Sequence, residues 1–351
     1  MKNIISDNAL PEQYLCAALK DFRLRNAVSD SCSKILIGHI SDIHSDWSRL
    51  DNAFELFEHL KPSFVVHTGD MVMWNLEDDY SYFFEKAANA SFPVFNCIGN
   101  HDTFDNSGAK DIGFIHSALI SPLSADIKGA KNGFYFSDIG QIRLIVLNDY
   151  DASGDKYALS SEQLKMLSDA LRGAQNDGLS VIIASHESDE KITASGGAVF
   201  CQRFSPRPWG EGKPHPHAVA DIVNAFVHGG KAECSYEYPA AGKSAYVCEE
   251  FAGGGKFVCY LNGHRHGDYA GYLPSYPDQL SICMTCSGCY PEGYHNIGDE
   301  ISDLPRIPGT VTENAVNMYV ADLEKRTVTA VRFGAYINDL MQQRLCEVFR
   351  F

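Results

Sequence analysis

The chain has 351 residues, of which 45% are apolar and 21% charged. These are the proportions of a soluble globular protein, and they exclude a disordered, collagen-like or fibrous chain. Lys and Arg total 29 against 45 Asp and Glu, a net charge of −16. So acidic a chain argues against a non-specific nucleic-acid or anionic-membrane binder, since both need a cationic surface. A small phosphorylated substrate stays compatible, because metal ions can hold it.

The eleven cysteines are an odd number, so at least one thiol has no partner within the chain. They are too few for a disulfide scaffold. Met1 to Leu10 contains Ile4 and Ile5 but no apolar signal-peptide core. No apolar run approaches the ~18 residues of a membrane-spanning helix. The expectation is a soluble protein of a reducing cytoplasm.

In chain order, residues 8–26 have helical spacing, with Pro11 in the first turn and Leu15, Ala18, Leu19 and Phe22 on one face. Lys34 to Ser41 is a short β-branched apolar run and reads as a buried strand. A helix follows with Trp47, Leu50, Phe54, Phe57 and Leu60 on one face, then a strand at Ser63–Thr68, a helix near Asp79–Ala90 and a strand at Pro93–Ile98. This strand–helix–strand rhythm predicts a parallel sheet with helices on its faces. Further strands are expected at Gly133–Ser137, Gln141–Asn148, Ser180–Ser185, Lys256–Asn262 and Leu280–Cys286. Ser160 and Gln163 have capping-box spacing before a helix with Leu164, Leu167 and Leu171. Val316–Ala321 and Thr327–Phe333 read as a hairpin. Glu187–Gly255 is rich in Gly and Pro and reads as a long irregular insertion with one short helix near Ala218–His228.

The residues that end these strands are chemically alike. They are Asp42-Ile43-His44, Gly69-Asp70, Gly99-Asn100-His101-Asp102, His186, and Gly263-His264-Arg265-His266. In an extended segment residues i and i+2 share a face, so Asp42 and His44 are expected to converge, as are His264 and His266. In open α/β sheets ligands bind at the carboxyl ends of strands. Oxygen and imidazole donors without thiolate suit Mn, Fe, Zn or similar divalent ions. There are donors enough for two ions, provided one carboxylate is shared.

The ordered set D-x-H, G-D, G-N-H-D, H and G-H-x-H resembles the calcineurin-like metallophosphoesterase family, from about Ile35 to at least His266. The resemblance implies an α/β fold, the two-sheet αββα sandwich, and hydrolysis of a phosphomonoester or phosphodiester bond. It implies that Asp42, His44 and His266 bind one divalent ion, that Asp70 bridges, and that Asn100, His186 and His264 bind a second. His101 would protonate or stabilise the leaving oxygen, with Asp102 orienting it. A hydroxide bridging two ions ~3.5–4 Å apart would attack phosphorus in line. A scaffold protein with a non-catalytic site is the alternative within the same fold, although every metal position and His101 are filled here.

Two departures stand out. Many relatives have an acidic residue three positions after the G-D aspartate, where this chain has Met73. The segment Glu187-Ser188-Asp189 lacks the prolines common in class III cyclic-nucleotide phosphodiesterases, which argues against carrying over their substrate.

Other features have simpler structural readings. His39, His67, His215 and His217 read as buried or surface histidines, and Cys283, Cys286 and Cys289 as small thiols rather than a cluster. His186-Glu187 does not begin a zinc-protease H-E-x-x-H motif, because position 190 is Glu190. Arg203 and Arg207 lie in the long insertion and are candidates to touch the non-reacting part of a substrate. The domain reading is a helical extension over 1–33 and a metallophosphoesterase domain over 34–351 with its insertion at about 187–255.

Overall fold

Strands β1 (Lys34–Ile40), β2 (Phe64–His67) and β3 (Val94–Asn96) alternate with helices α1 (Trp47–Leu60) and α2 (Glu77–Asn89), as the apolar rhythm predicts. The computed structural model describes residues 21, 23–28, 33–75, 77–103, 126–150, 157–188, 217–239, 241–264, 269–283, 315–334 and 346–351. Of the expected first helix, residues 21 and 23–28 are described, and they are helical.

After β3 come β4 (Ile127–Lys131), β5 (Phe134–Ile139), β6 (Ile142–Val146), α3 (Ser161–Asp177), β7 (Ser180–Ala184) and α4 (Ala218–His228). They are followed by β8 (Gly230–Tyr238), β9 (Lys243–Phe251), β10 (Lys256–Asn262), β11 (Tyr269–Leu273), β12 (Tyr276–Cys283), β13 (Ala315–Asp322), β14 (Thr327–Gly334) and β15 (Cys346–Arg350). The strands form a six-stranded sheet, β15-β14-β13-β1-β2-β3, and a seven-stranded sheet, β11-β12-β10-β7-β6-β5-β4. β1, β2 and β3 run parallel, as do β6, β7, β10 and β12.

Three apolar layers show why the strand runs are almost continuously hydrophobic. Ile37, Phe64, Val66 and Phe95 of the first sheet meet Leu144, Val146, Ile182, Ala184 and Leu261 of the second. The alternate residues Ile40, Val65 and Val94 face Leu50, Phe54, Phe57 and Phe83 of α1 and α2. Val181 and Ile183 face Leu164, Leu167 and Leu171 of α3 and Ile222 and Phe226 of α4. A strand buried on both faces loses the polar alternation of a one-sided sheet. Each fully buried Phe, Leu or Ile contributes about 1.5–3 kcal/mol of transfer free energy. The outcome is the expected helix–sheet–sheet–helix sandwich.

The segment read as irregular differs from expectation. Its helix, α4, falls where expected, but β8 and β9 form an antiparallel hairpin. Ala232, Tyr236 and Tyr238 on one strand and Ala245, Val247 and Phe251 on the other bury one face against α3 and α4. Arg172 of α3 lies over the Phe251 ring, 5.0 Å from its centroid. The other face is exposed and charged, and the Pro-rich composition of the preceding stretch obscured its alternation. Strands β4, β11 and β15 are also additions to the sequence reading.

The Ser160 side chain accepts from Gln163 N at 3.1 Å, as a helix cap should. The Gln163 side chain does not return to Ser160. It clamps the backbone of Asn148 after β6, accepting from its N at 2.7 Å and donating to its O at 2.9 Å.

Two buried histidines lie behind the strand ends. His39 is held by the Tyr319 hydroxyl at 2.8 Å and Thr68 Oγ1 at 3.0 Å. His67 packs on Phe83 with centroids 5.1 Å apart, and neither ring nitrogen has a hydrogen-bond partner among the described residues. Burial lowers both to about 3. The unfolded chain takes up these protons near pH 6.5, whereas the folded chain resists until about pH 3. Stability from this source is therefore full above pH 6.5 and declines as pH falls from there toward 3. Urea-unfolding midpoints should drop on acidification from pH 7 to 5, and His67→Leu should flatten that drop. An equal drop in the variant would assign the acid sensitivity elsewhere.

Candidate metal centre at the strand ends

The parallel strands β1, β2 and β3 of one sheet and β7 and β10 of the other deliver the candidate residues at their carboxyl ends. Backbone hydrogen bonds fix the loops that follow them. Asp42 N donates to Gly69 O at 2.9 Å, His44 N to Asp70 O at 3.0 Å, and Gly263 N to His186 O at 2.9 Å.

The convergence of Asp42 and His44 has a different origin from the one expected. β1 ends at Ile40, and both residues have left-handed backbone, with φ of 52° and 49°. Asp70 (56°) and His264 (66°) share that conformation. Non-glycine residues rarely adopt it, and such backbone strain concentrates at functional sites. A sharp turn after the strand, rather than strand alternation, aims these side chains.

Four of the donors are buried, and Asn100, His101 and His264 are partly buried. Asp42 and His186 are 0% exposed, Asp70 1% and His44 5%. His44 Nε2 lies 3.6 Å from Asp70 Oδ2 and 3.9 Å from Asp42 Oδ1. His186 Nε2 lies 3.3 Å from the same Asp70 oxygen. Two clusters of ligand atoms result, His44–Asp70–His101 and Asp70–His186–His264, each with its atoms within 4.8 Å of one another. Asp70 belongs to both.

The tautomers indicate which atoms the second cluster presents. His186 Nδ1 sits 2.5 Å from Thr68 O and must donate to it, which makes Nε2 the lone-pair nitrogen. His264 Nε2 sits 2.7 Å from Glu187 Oε1, which makes Nδ1 the lone-pair nitrogen. Those two nitrogens are 3.2 Å apart, and each approaches Asn100 Oδ1, at 3.2 and 3.0 Å. Imidazole lone pairs, an amide oxygen and a carboxylate thus face one another, an arrangement suited to a cation. This donor set fits a divalent ion. Without one, a proton takes its place. Burial alone would lower His186, but the Asp70 carboxylate raises it to about 10. Burial likewise opposes ionisation of Asp70, yet His186, with His101 and His44, holds it well below the usual carboxylate range.

Asp102 has a role other than the one the resemblance assigns. It is fully buried, and its carboxylate accepts from Gly99 N and Asp70 N at 2.9 Å, Met71 N at 3.0 Å and Val72 N at 3.2 Å. Burial and the Asp70 charge push it up to about 7, and the N–H groups of Gly99 and Val72 oppose that rise. It is a tie between the β2 and β3 loops, with its oxygens committed to backbone. His101 is aimed instead by the Met73 carbonyl, 2.9 Å from its Nδ1. The position that is acidic in many relatives therefore acts here through its backbone. The His101 ring meets His44 edge-on with centroids 4.5 Å apart.

Two glycines permit the packing. A Cβ on Gly99 would lie 2.2 Å from Asp70 Oδ1, and one on Gly263 would lie 1.8 Å from Ser41 Oγ. The G-N-H-D and G-H-x-H glycines are thus required by close approach.

Of the residues expected in the site, the structure gathers Asp42, His44, Asp70, Asn100, His101, His186 and His264. His266, Arg203, Arg207, His215, Cys286 and Cys289 lie outside the described residues. Glu187 and Tyr150 were not singled out for the site by the sequence. Tyr150 donates to Glu187 Oε1 at 2.8 Å, and burial followed by the Glu187 charge raises its hydroxyl well above the ordinary tyrosine range. Only the adjacency of Glu187 to His186 hinted at a role. No helix among the described residues is long and apolar enough to cross a membrane.

Comparison with known proteins finds relatives of similar sequence and fold. Over 202 residues the chain is 25% identical to a probable cyclic nucleotide phosphodiesterase of Moraxella catarrhalis, covering 55% of this chain and 70% of that protein. The fold is similar to the crystal structure of a dimetal phosphatase from Danio rerio, with a TM-score of 0.53 and 12% identity over 90% of this chain and 99% of that one. A Thermus thermophilus structure matches with a TM-score of 0.42 and 11% identity over 90% of this chain and 98% of that one. The calcineurin-like phosphoesterase profile matches residues 35–267, spanning all the strand-end motifs. The chain belongs to the calcineurin-like phosphoesterase family, whose members are hydrolases of phosphoric ester bonds.

Proposed function

We propose that this chain hydrolyses phosphoester bonds of small phosphorylated substrates with two divalent ions, Mn, Fe or Zn, held at the strand ends. The observation that carries the reading is Asp70, the one carboxylate common to both donor clusters. Asp42, His44 and His266 would hold one ion, with His101 beside it as proton donor rather than ligand, Asn100, His186 and His264 would hold the other, and Asp70 would serve both. Bound there, two such ions supply a water acidified enough to attack at neutral pH and positive charge for the phosphoryl oxygens.

The protein's own groups do the rest. His101 keeps Nδ1 committed to the Met73 carbonyl, so proton exchange falls to Nε2. As imidazolium it donates from Nε2 to the departing oxygen. His101 N donates to Asp70 Oδ1 at 2.8 Å and so ties this group to the shared carboxylate. His264 N donates to both oxygens of Asp42 at 3.1 Å, which turns that carboxylate toward the site from the other sheet. A chain of net charge −16 disfavours polyanions such as nucleic acid, while the ions would draw a single phosphate locally. The similar proteins are named as a phosphodiesterase and a phosphatase, so the reading commits to the bond broken and not to the group attached.

Mn-loaded protein should turn over p-nitrophenyl phosphate or its bis-ester. A folded, metal-loaded protein inert toward both would favour the scaffold alternative. His101→Ala should keep its bound metal and lose about 10²–10⁴-fold in kcat, the usual worth of a general acid. Activity near wild type would remove His101 from the reaction. Asp70→Asn should bind fewer than two ions per chain by elemental analysis, and full occupancy would contradict its shared role.

A further inference from the structure

Glu187 is 8% exposed and its backbone is tied on both sides. Its N donates to Asp149 Oδ2 at 2.6 Å, and its O accepts from Ser185 Oγ at 2.6 Å and Asn262 Nδ2 at 2.9 Å. Ser185 lies just past β7, and Asn262 closes β10. The two strands that carry His186 and His264 therefore also anchor the residue between them. Its carboxylate Oε1 takes the Tyr150 hydroxyl at 2.8 Å and His264 Nε2 at 2.7 Å. Tyr150 is itself 2% exposed. Its ring lies 6.4 Å from that of His264 and 5.8 Å from that of His186.

We infer that Glu187, held by Tyr150, is a positioning residue that commits His264 to donating through Nε2 and so presents Nδ1 to the second metal ion. The inference rests on the proposed dinuclear site. The sequence motif covers His186 and is silent on the residue after it. Here adjacent residues serve one ion from opposite sides: His186 by its own Nε2, Glu187 by fixing the far nitrogen of His264. A carboxylate behind a metal-bound imidazole sets its tautomer, restrains ring rotation and increases its basicity. Removing such a partner typically weakens metal binding 10–100-fold.

The test is stepwise Mn²⁺ titration of metal-free protein by calorimetry, with thermal unfolding of each metal-free variant as a check on folding. Glu187→Gln should weaken one ion by about 10–100-fold and leave the other within about twofold. Tyr150→Phe, which removes only a hydroxyl, should weaken the same ion by a smaller factor. At saturating Mn²⁺, kcat of Glu187→Gln should return toward wild type. Added to His264→Ala, Glu187→Gln should have little further effect, because it acts through His264. Unchanged affinity for both ions, or equal weakening of both in a folded variant, would overturn the inference while leaving the dinuclear reading intact. Wild-type protein that takes up fewer than two ions would overturn both.

Discussion

The structure at the strand ends depends on desolvated negative charge. Asp42, Asp70 and Asp102 lie within one buried patch, each at most 1% exposed. Carboxylates removed from water are costly unless paired with cations or hydrogen-bond donors. The chain answers each differently. Asp102 is met by four backbone N–H groups, Asp42 by the His264 amide, and Asp70 by imidazoles on both sides and by the His101 amide. Asp70 alone sits between two donor sets, which is why a cation pair suits it better than any rearrangement of hydrogen bonds.

Holding these groups requires a rigid frame, and the sandwich supplies one. Parallel strands buried on both faces leave their ends little freedom, and the inter-sheet core fixes one sheet's loops against the other's. Thr68 shows how tightly the layers are coupled. Its hydroxyl meets His39 in the core while its carbonyl fixes the His186 tautomer. His39 in turn meets Tyr319 on β13. A donor in the second sheet is thereby set by a hydrogen-bond chain that crosses the first.

Much of this was legible in the sequence, for identifiable reasons. Doubly buried strands give unbroken apolar runs, so β1, β2, β7 and β10 stood out, and the polar residues that end them were conspicuous by contrast. The legible part ended where side-chain period stopped deciding. Asp42 and His44 converge through left-handed backbone rather than extended alternation, which no residue type announces. The β8–β9 hairpin buries alanine, valine and aromatic residues on one face, and its charged face resembled loop. Cys346–Arg350 adds a sheet edge whose apolar residues are interrupted by the charged Glu347 and Arg350. Glu187 was invisible because its partner is 77 residues away by number, from 187 to 264, and only tertiary packing makes them neighbours.

The same distinction separates the roles of Asp102 and Met73. Sequence reasoning assigns function to side chains, so a motif aspartate beside a histidine is read as that histidine's partner, and a methionine in an acidic position is read as a loss. The backbone reverses both. Asp102 spends its carboxylate on three amides of the β2 loop and one of the β3 loop, and the β2 loop places the Met73 carbonyl 2.9 Å from His101 Nδ1. A carbonyl accepts the Nδ1 proton without adding charge. An acidic side chain there would place another negative group beside Asp70. With a neutral acceptor, His101 is held in place without a further charge joining the buried carboxylates Asp42, Asp70 and Asp102.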